Sequence, residues 1–478
     1  MPASLFPALR HPTDREALRF GDRSLTYREL ADAASTVADR LRGHRRVAVW
    51  ATPSLETCVA VAGALLAGVP VVPVNPKVGA RELAHIVADS DPDLVLAEPG
   101  TDLPPPLGAV ERVDVGTRPA AGPGRDHPEP AEDTPALVVY TSGTTGPPKG
   151  VVLPRRALAA NLDALARAWE WTGDDVVVHA LPLFHVHGLV VGVLGPLRRG
   201  GAVHHLGRFS TEGVARALSG RATMMFGVPT MYHRLASDVE ADPALAAAVG
   251  GARLLVSGSA ALPASDHERI ARVTGRQIVE RYGMTETLMN TSVRAGGERR
   301  PGTVGVPLDN VDLRLVDDSG ATVAGTDTIG EIQVRGPHLF LGYLNRPDAT
   351  AAVLRDGWFS TGDMATITED GDVRIVGRRA TDLIKSGGYK IGAGEIENAL
   401  LEHPGVAEAA VTGEPDPDLG ERIVAWIVPA TDPAPAPEAL ADHVAALLAP
   451  HKRPRVVHFL ARLPRNDMGK VTKRALHV

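Results

Sequence analysis

Short apolar runs of five to seven residues alternate with longer helical patterns through the first half of the chain, and this alternation restricts the fold most. RRVAVWA (45–51), PVVPVN (70–75) and PDLVLAE (92–98) read as buried strands, with LETCVAVAGALLAG (55–68) and ARELAHIVADS (80–90) as the helices between them. Near-continuous apolar strands separated by helices belong to parallel sheets covered on both faces. The expected class is therefore α/β. Strand and helix units resume from Leu137 to about Tyr282, after a Pro- and Gly-rich stretch at 116–135 that reads as a loop between lobes. From Gly305 to Val376 the pattern changes to short strands and turns (VDLRLVDDSG, GEIQVRG, GDVRIVG), which predicts a smaller β-rich subdomain. After Gly377 a compact α+β tail is expected, with helices in GAGEIENALLEH and EALADHVAALL and strands in EAAVTG and RIVAWIV. Residues 1–377 thus form a large N-terminal domain of two α/β subdomains plus the β-rich one, and 378–478 a small C-terminal domain.

At 478 residues the chain is too long for one simple core. Its formal charge of −7 and lack of a long basic stripe argue against a nucleic-acid partner. Cys58 is the only cysteine, which excludes an internal disulfide framework and a cysteine-rich metal site. The start of the chain carries no secretory signature, and a cytoplasmic enzyme is expected. The 17 uncharged residues from Cys58 to Val74 approach the length of a membrane span. Gly68 and Pro70 break the run, so a buried helix followed by a buried strand is the better reading, with no membrane partner.

The strongest chemical signal is LVVYTSGTTGPPKGV, Leu137–Val151. An apolar strand enters a Ser/Thr/Gly loop that closes on Lys149. Glycines let backbone N–H groups approach phosphate oxygens, hydroxyls add donors, and the lysine adds charge. The spacing is not that of a Walker A loop. A surface loop of the same composition would be unremarkable taken alone; the full string is not. Further motifs follow in order: PLFHVHG (182–188), ERYGMTET (280–287), GEIQVRG (330–336), STGD (360–363), GRRATDLIKSGGYKIGAGEIE (377–397) and PRNDMGKVTKRAL (464–476).

This ordered set resembles the adenylate-forming superfamily of acyl-CoA synthetases, luciferases and peptide-synthetase adenylation domains, over nearly the whole chain. The resemblance implies that a carboxylic acid attacks the α-phosphate of ATP, and that the acyl-adenylate then passes its acyl group to coenzyme A. Such a step needs positioning and charge stabilisation and no protein nucleophile; no nucleophile elbow or Cys–His pair is evident. By resemblance, Ser142, Gly143, Thr144, Thr145, Gly146 and Lys149 would cradle the phosphates, and Thr141 and Glu286 would hold Mg²⁺, as hard oxygen donors suit. Tyr282 would stack near adenine, with Gly258, Ser259, Glu280, Gly283, Met284 and Thr285 around the nucleotide. Asp363 would accept from the ribose hydroxyls, helped by Arg378. His185 would gate the thiol channel; the HVH pair could instead pack or bind metal, but no third ligand presents itself. Lys470 would act at the α-phosphate during adenylation. The tail domain would then rotate, presenting the SGGYKIGAGE face for thiol transfer. GRRATD has one residue more than the commonest form of its motif, which leaves the pivot open between Ala380 and Thr381, and the ribose contact between Arg378 and Arg379.

Two arginines, Arg234 and Arg281, fall where an acyl pocket is expected. A buried cation needs a counter-anion, and a second carboxylate on a short acid supplies one. VERYGMTETLMNTS and GRRATDLIKSGGYKI resemble the malonyl-CoA synthetase branch, which implies that Arg234 and Arg281, with His205, bind the distal carboxylate while Ser257 and Met289 limit the pocket. A surface ion pair is the competing reading for each arginine. A ligase for neutral short acids, an adenylation enzyme loading a carrier protein, and a non-catalytic nucleotide sensor stand as alternatives. Intact Lys149, Glu286, Asp363 and Lys470 argue against the sensor, and the absence of a carrier domain after Lys470 favours free coenzyme A.

Overall fold

The structure is a computed structural model describing residues 4–118, 127–141, 147–323, 325–379, 382–465 and 471–476. The expected strands form at Val47–Trp50, Val71–Val74 and Leu94–Ala97, all parallel, separated by helices Leu55–Ala67 and Ala80–Ser90. They lie in a sheet of seven described strands, whose antiparallel end is the hairpin Pro135–Thr141 and Lys149–Pro154 with Gly342–Tyr343 added at its edge.

The apolar run at Cys58–Val74 is resolved by packing. Ser54 caps helix Leu55–Ala67, and Gly68 ends it in the left-handed region. Thirteen residues at 1.5 Å rise span about 20 Å, short of a bilayer core of about 30 Å. Every residue from Leu55 to Leu65 is buried. At Gly63 a Cβ would come within 2.8 Å of Ala34 and Val37, so the glycine lets the helix press against Tyr27–Arg40. Among the described residues no helix is long and apolar enough to cross a membrane.

A second sheet, of nine described strands, runs in the order Val306–Pro307, Leu288–Ser292, Val279–Met284, Leu254–Ser257, Met224–Gly227, Val176–His179, Ala202–His205, Glu16–Phe20, Arg23–Thr26. Its middle is parallel, and Ser257 pairs in register with Glu280. The carboxyl ends of Leu254–Ser257 and Val279–Met284 therefore emerge side by side, where ligands bind in open α/β sheets. The β-rich subdomain is an antiparallel sheet built on Gly330–Arg335 and Trp358–Ile367; strand Val373–Arg378 pairs with the latter. The next strand, Leu383–Ser386, belongs to a separate five-stranded sheet with its own apolar core, covered by helices Ala393–Leu401 and Pro437–Leu447. Lys473 ties this last unit together, with Nζ 2.8 Å from Asp382 and 2.7 Å from Glu397.

Candidate active site

The strands on either side of the expected phosphate loop pair with Thr141 opposite Lys149. The Thr141 hydroxyl donates to the Lys149 carbonyl at 3.5 Å. Both flanks are tied to helix Ala80–Ser90: the His85 Nε2 lies 2.8 Å from the Pro148 carbonyl, and the Tyr140 hydroxyl donates to Asp89 at 2.7 Å. Ser142, Gly143, Thr144, Thr145 and Gly146 lie outside the described residues.

Lys149 places its Nζ 4.1 Å from the centroid of the Tyr343 ring, and the Tyr343 hydroxyl donates to Glu286 Oε1 at 2.8 Å. Burial, then the Glu286 carboxylate, pushes the Tyr343 hydroxyl well above the usual phenol range, so it stays a donor. Thr141, Lys149, Tyr343 and Glu286 thus form one patch of hard oxygen donors and one cation beside the phosphate loop. Tyr343 escaped the sequence reading because LFLGYLN looks like an apolar strand. Only the edge pairing of Tyr343 with Val151 carries its hydroxyl to the site.

Tyr282, Asp363 and Arg378, expected around the nucleotide, form a chain of polar contacts. Tyr282 donates to Asp363 at 2.7 Å, and Arg378 Nε lies 3.0 Å from the other oxygen of the same carboxylate. Arg378 reaches Asp363 because Val373–Arg378 pairs with Trp358–Ile367, with Asp363 opposite Arg378. The following Arg379 is held instead by Glu331 at 3.0 Å and Asp318 at 2.6 Å. Of the two candidates, Arg378 is therefore the one at Asp363. Gly283 and Met284 end the strand that carries Tyr282, and Thr285 begins the turn to Glu286.

Glu280, expected around the adenine, is committed elsewhere. It is buried, with one oxygen 3.1 Å from His267 Nε2 and the other accepting from the Leu262 N–H at 3.4 Å. Strand alternation turns the neighbouring Arg281 to the opposite face of the sheet from Glu280.

Arg281 is 4% exposed. Its Nε and Nη2 have no hydrogen-bond partner among the described residues, and burial pulls the guanidinium down to about 10, leaving it charged at neutral pH. It lies against Gly258, where a Cβ would stand 2.4 Å from the guanidinium carbon; only glycine leaves room for it. The Ser257 hydroxyl, fully buried, also lacks a partner. His187 is buried with Nε2 unpartnered, and its Nδ1 is 3.4 Å from the Ser259 hydroxyl. Met289 is buried on the neighbouring strand, its backbone bonded to Asn161. His185 is half-buried, its ring 4.4 Å from that of Phe184.

His205, expected at the distal carboxylate, does not match this geometry. His205 is fully used: Nε2 donates to the Leu181 carbonyl at 2.9 Å, Nδ1 accepts from the Gly207 N–H at 2.9 Å, and the ring stacks on Phe20. It has no donor left for a carboxylate. Arg234, expected at the acyl site with Arg281, is exposed on helix Pro229–Val239. A helix turns through 3.6 residues, and the buried face here belongs to Tyr232, Leu235, Ala236 and Val239.

The buried histidines make an acid limit. Burial pushes His205 and His338 each down from 6.5 to about 4, and His179 and His187 also fall well below 6.5. Between about pH 6.5 and 4 the unfolded chain binds protons that the folded one does not, so stability falls with pH through that window. His205 and His338 each cost about 2 kcal/mol at pH 5. Thermal melts from pH 7.5 to 5 should show a clear fall in Tm; a flat profile would contradict the neutral buried histidines.

The hairpin that carries Lys149, the Tyr343–Glu286 pair beside it and the smaller α+β unit fit the class of AMP-forming enzymes. The AMP-binding enzyme family matches residues 7–344 and the AMP-binding enzyme C-terminal domain matches residues 395–470, so the chain belongs to this family. It is 35% identical to a malonate–CoA ligase of Arabidopsis thaliana over 98% of this chain and 87% of the relative. It is 69% identical to a solved malonyl-CoA ligase in a ternary product complex with methylmalonyl-CoA and AMP, at a TM-score of 0.76 and covering 96% of this chain and all of that one. ATP-bound MatB from Rhodopseudomonas palustris aligns at 35% identity with a TM-score of 0.91, over 100% of this chain and 98% of that chain.

Proposed function

We propose that this protein joins malonate to coenzyme A at the expense of ATP, forming malonyl-adenylate and pyrophosphate, then malonyl-CoA and AMP. The observation that carries the substrate is Arg281: a buried, charged guanidinium with no partner among the described residues, on the strand that also carries Tyr282. An ion of this kind costs several kcal/mol unless a ligand neutralises it. A dicarboxylate does so with its distal group while its proximal carboxylate faces the nucleotide. The solved relative with methylmalonyl-CoA supports extension to 2-substituted malonates.

In the first half-reaction a proximal carboxylate oxygen forms a bond to the α-phosphorus as the bond to pyrophosphate breaks. Lys149 and the loop amides hold the polyphosphate, Asp363 with Arg378 fixes the ribose, and Lys470 neutralises charge at the reacting phosphoryl. Lys470 lies outside the described residues, as do Ala380 and Thr381, between which the pivot was placed. In the second half-reaction the thiolate sulfur attacks the acyl carbon and AMP leaves, with His185 at the entrance of the thiol. Arg281 holds the distal carboxylate throughout.

Magnesium suits the patch of Thr141 and Glu286, whose oxygens are hard donors and whose remaining ligands would come from phosphate and water. Bound there, the ion would neutralise phosphate charge. Glu286→Gln should lower activity and raise the Mg²⁺ concentration needed for half-maximal rate, since an amide is the poorer ligand. Full activity in excess chelator would rule magnesium out.

Pyrophosphate release measured with malonate, methylmalonate, acetate and butyrate, with and without coenzyme A, tests the reading. Malonate should lead, and coenzyme A should yield the thioester. Adenylate without thioester would make this a carrier-loading enzyme, and preference for butyrate would make it a neutral-acid ligase.

A further inference from the structure

The Arg281 guanidinium is not the only orphaned donor at the acyl end. His187 opens the wide helical turn His187–Leu194, a π-helical geometry that often marks functional sites. The turn can form only because residue 188 is glycine; a Cβ there would strike the Pro182 carbonyl at 2.1 Å. His187 is thereby held in the interior with Nε2 unpartnered, while Nδ1 faces the Ser259 hydroxyl at 3.4 Å. Ser259 has φ of 77°, an unusual conformation for a residue other than glycine, and it follows Gly258, the residue that packs on Arg281. Backbone held in a sparsely populated region is often associated with function.

Resting on the malonate reading above, we propose that His187 is a second specificity residue for the distal carboxylate, donating from Nε2, and that Ser259 is a positioning residue whose hydroxyl can donate to Nδ1. The neutral imidazole has one donor and one acceptor nitrogen. If the Ser259 hydroxyl donates to Nδ1, the proton must sit on Nε2. The opposite tautomer would turn a lone pair toward a carboxylate and repel it. His187 Nε2 and the Arg281 guanidinium do not bond each other, although both are buried and unpaired. Both therefore have bonding capacity that no described residue fills. Burial and then the charge of Arg281 hold His187 well below its ordinary titration range, so it works as a neutral donor at physiological pH. Ser259, expected around the nucleotide, acts on the acyl side in this account.

The test compares malonate with butyrate in four variants, with the KM for ATP as control. His187→Leu should lower malonate kcat/KM by about 10- to 100-fold, the usual worth of a hydrogen bond to a charged group, and should act mainly through KM. Butyrate should change by less than about twofold. His187→Gln, whose amide nitrogen reaches a similar point, should recover most of the loss and covers the case in which the leucine variant folds poorly. Ser259→Ala should cost malonate about three- to tenfold and leave ATP and butyrate alone. Arg281→Ala separates the two levels. If it loses malonate selectively while His187→Leu affects both acids equally or neither, the His187 assignment is overturned and the malonate pocket stands. If Arg281→Ala is itself unselective, the pocket reading fails first. A loss in Ser259→Ala that appears in the KM for ATP would return Ser259 to the nucleotide site.

Discussion

Replacing Arg281 with alanine is expected to lower malonate kcat/KM about 10²–10³-fold while leaving butyrate unchanged or improved. Removing one partner of a buried, hydrogen-bonded ion pair costs about 3–5 kcal/mol, at about 1.4 kcal/mol per decade. In this structure the ion without its ligand has no substitute: Nε and Nη2 are bare, and Gly258 packs against the guanidinium. A distal carboxylate bound in Arg281→Ala would be buried and unpaired, which makes the loss large. It should fall mostly on KM, since that carboxylate is held alike in ground and transition states. Butyrate places methyl in the same space, and in the native protein it would leave the arginine unpaired. The variant removes that penalty. Because Arg281 adjoins Tyr282, which donates to Asp363 at 2.7 Å, nucleotide affinity must be measured alongside. Equal losses for malonate and butyrate would make Arg281 structural. Arg234→Ala should do less, because Arg234 is exposed in the structure and a charge in water is screened.

The second large effect is expected at Lys470. Lys470→Ala should lose acyl-adenylate formation about 10²–10³-fold, the typical cost of removing a preorganised donor where charge develops. Thioester formation from supplied malonyl-adenylate should survive, because the domain rotation implied by the family resemblance takes the lysine away before the thiol attacks. Rapid-quench measurement of each half-reaction checks this. Equal loss in both would end the rotating-lysine account. The residues nearby make the experiment clean: Lys473, three positions on, is locked to Asp382 and Glu397, so the end of the domain should keep its shape when Lys470 is truncated.

Much of this was legible from local pattern. The strands at 47–50, 71–74 and 94–97 and the helices between them follow from period and capping, signals carried within a dozen residues. The ordered motifs led to the family and to Thr141, Lys149, Glu286, Asp363 and Arg378. For Arg281 the sequence left a substrate carboxylate and a surface ion pair open; its burial without a partner among the described residues speaks against the surface pair.

Contacts between distant segments were not legible. Tyr343 looks apolar in its own neighbourhood and becomes a partner of Glu286 and Lys149 only through a two-residue edge strand. His205 and Glu280 look like ligands until Gly207, Leu181, Leu262 and His267 occupy their polar atoms. Whether Arg378 or Arg379 meets Asp363 depends on strand register, which reverses every side chain for a shift of one residue. His187 was noticed as a histidine in a motif, but its unpartnered nitrogen is a fact of burial. By itself the sequence determined which chemical groups the protein has and their order along the chain, because periodicity, capping and motif spacing are local. Only the tertiary structure decided which of those groups remain free to meet a substrate, because hydrogen-bond satisfaction and desolvation depend on neighbours that the chain brings together from afar.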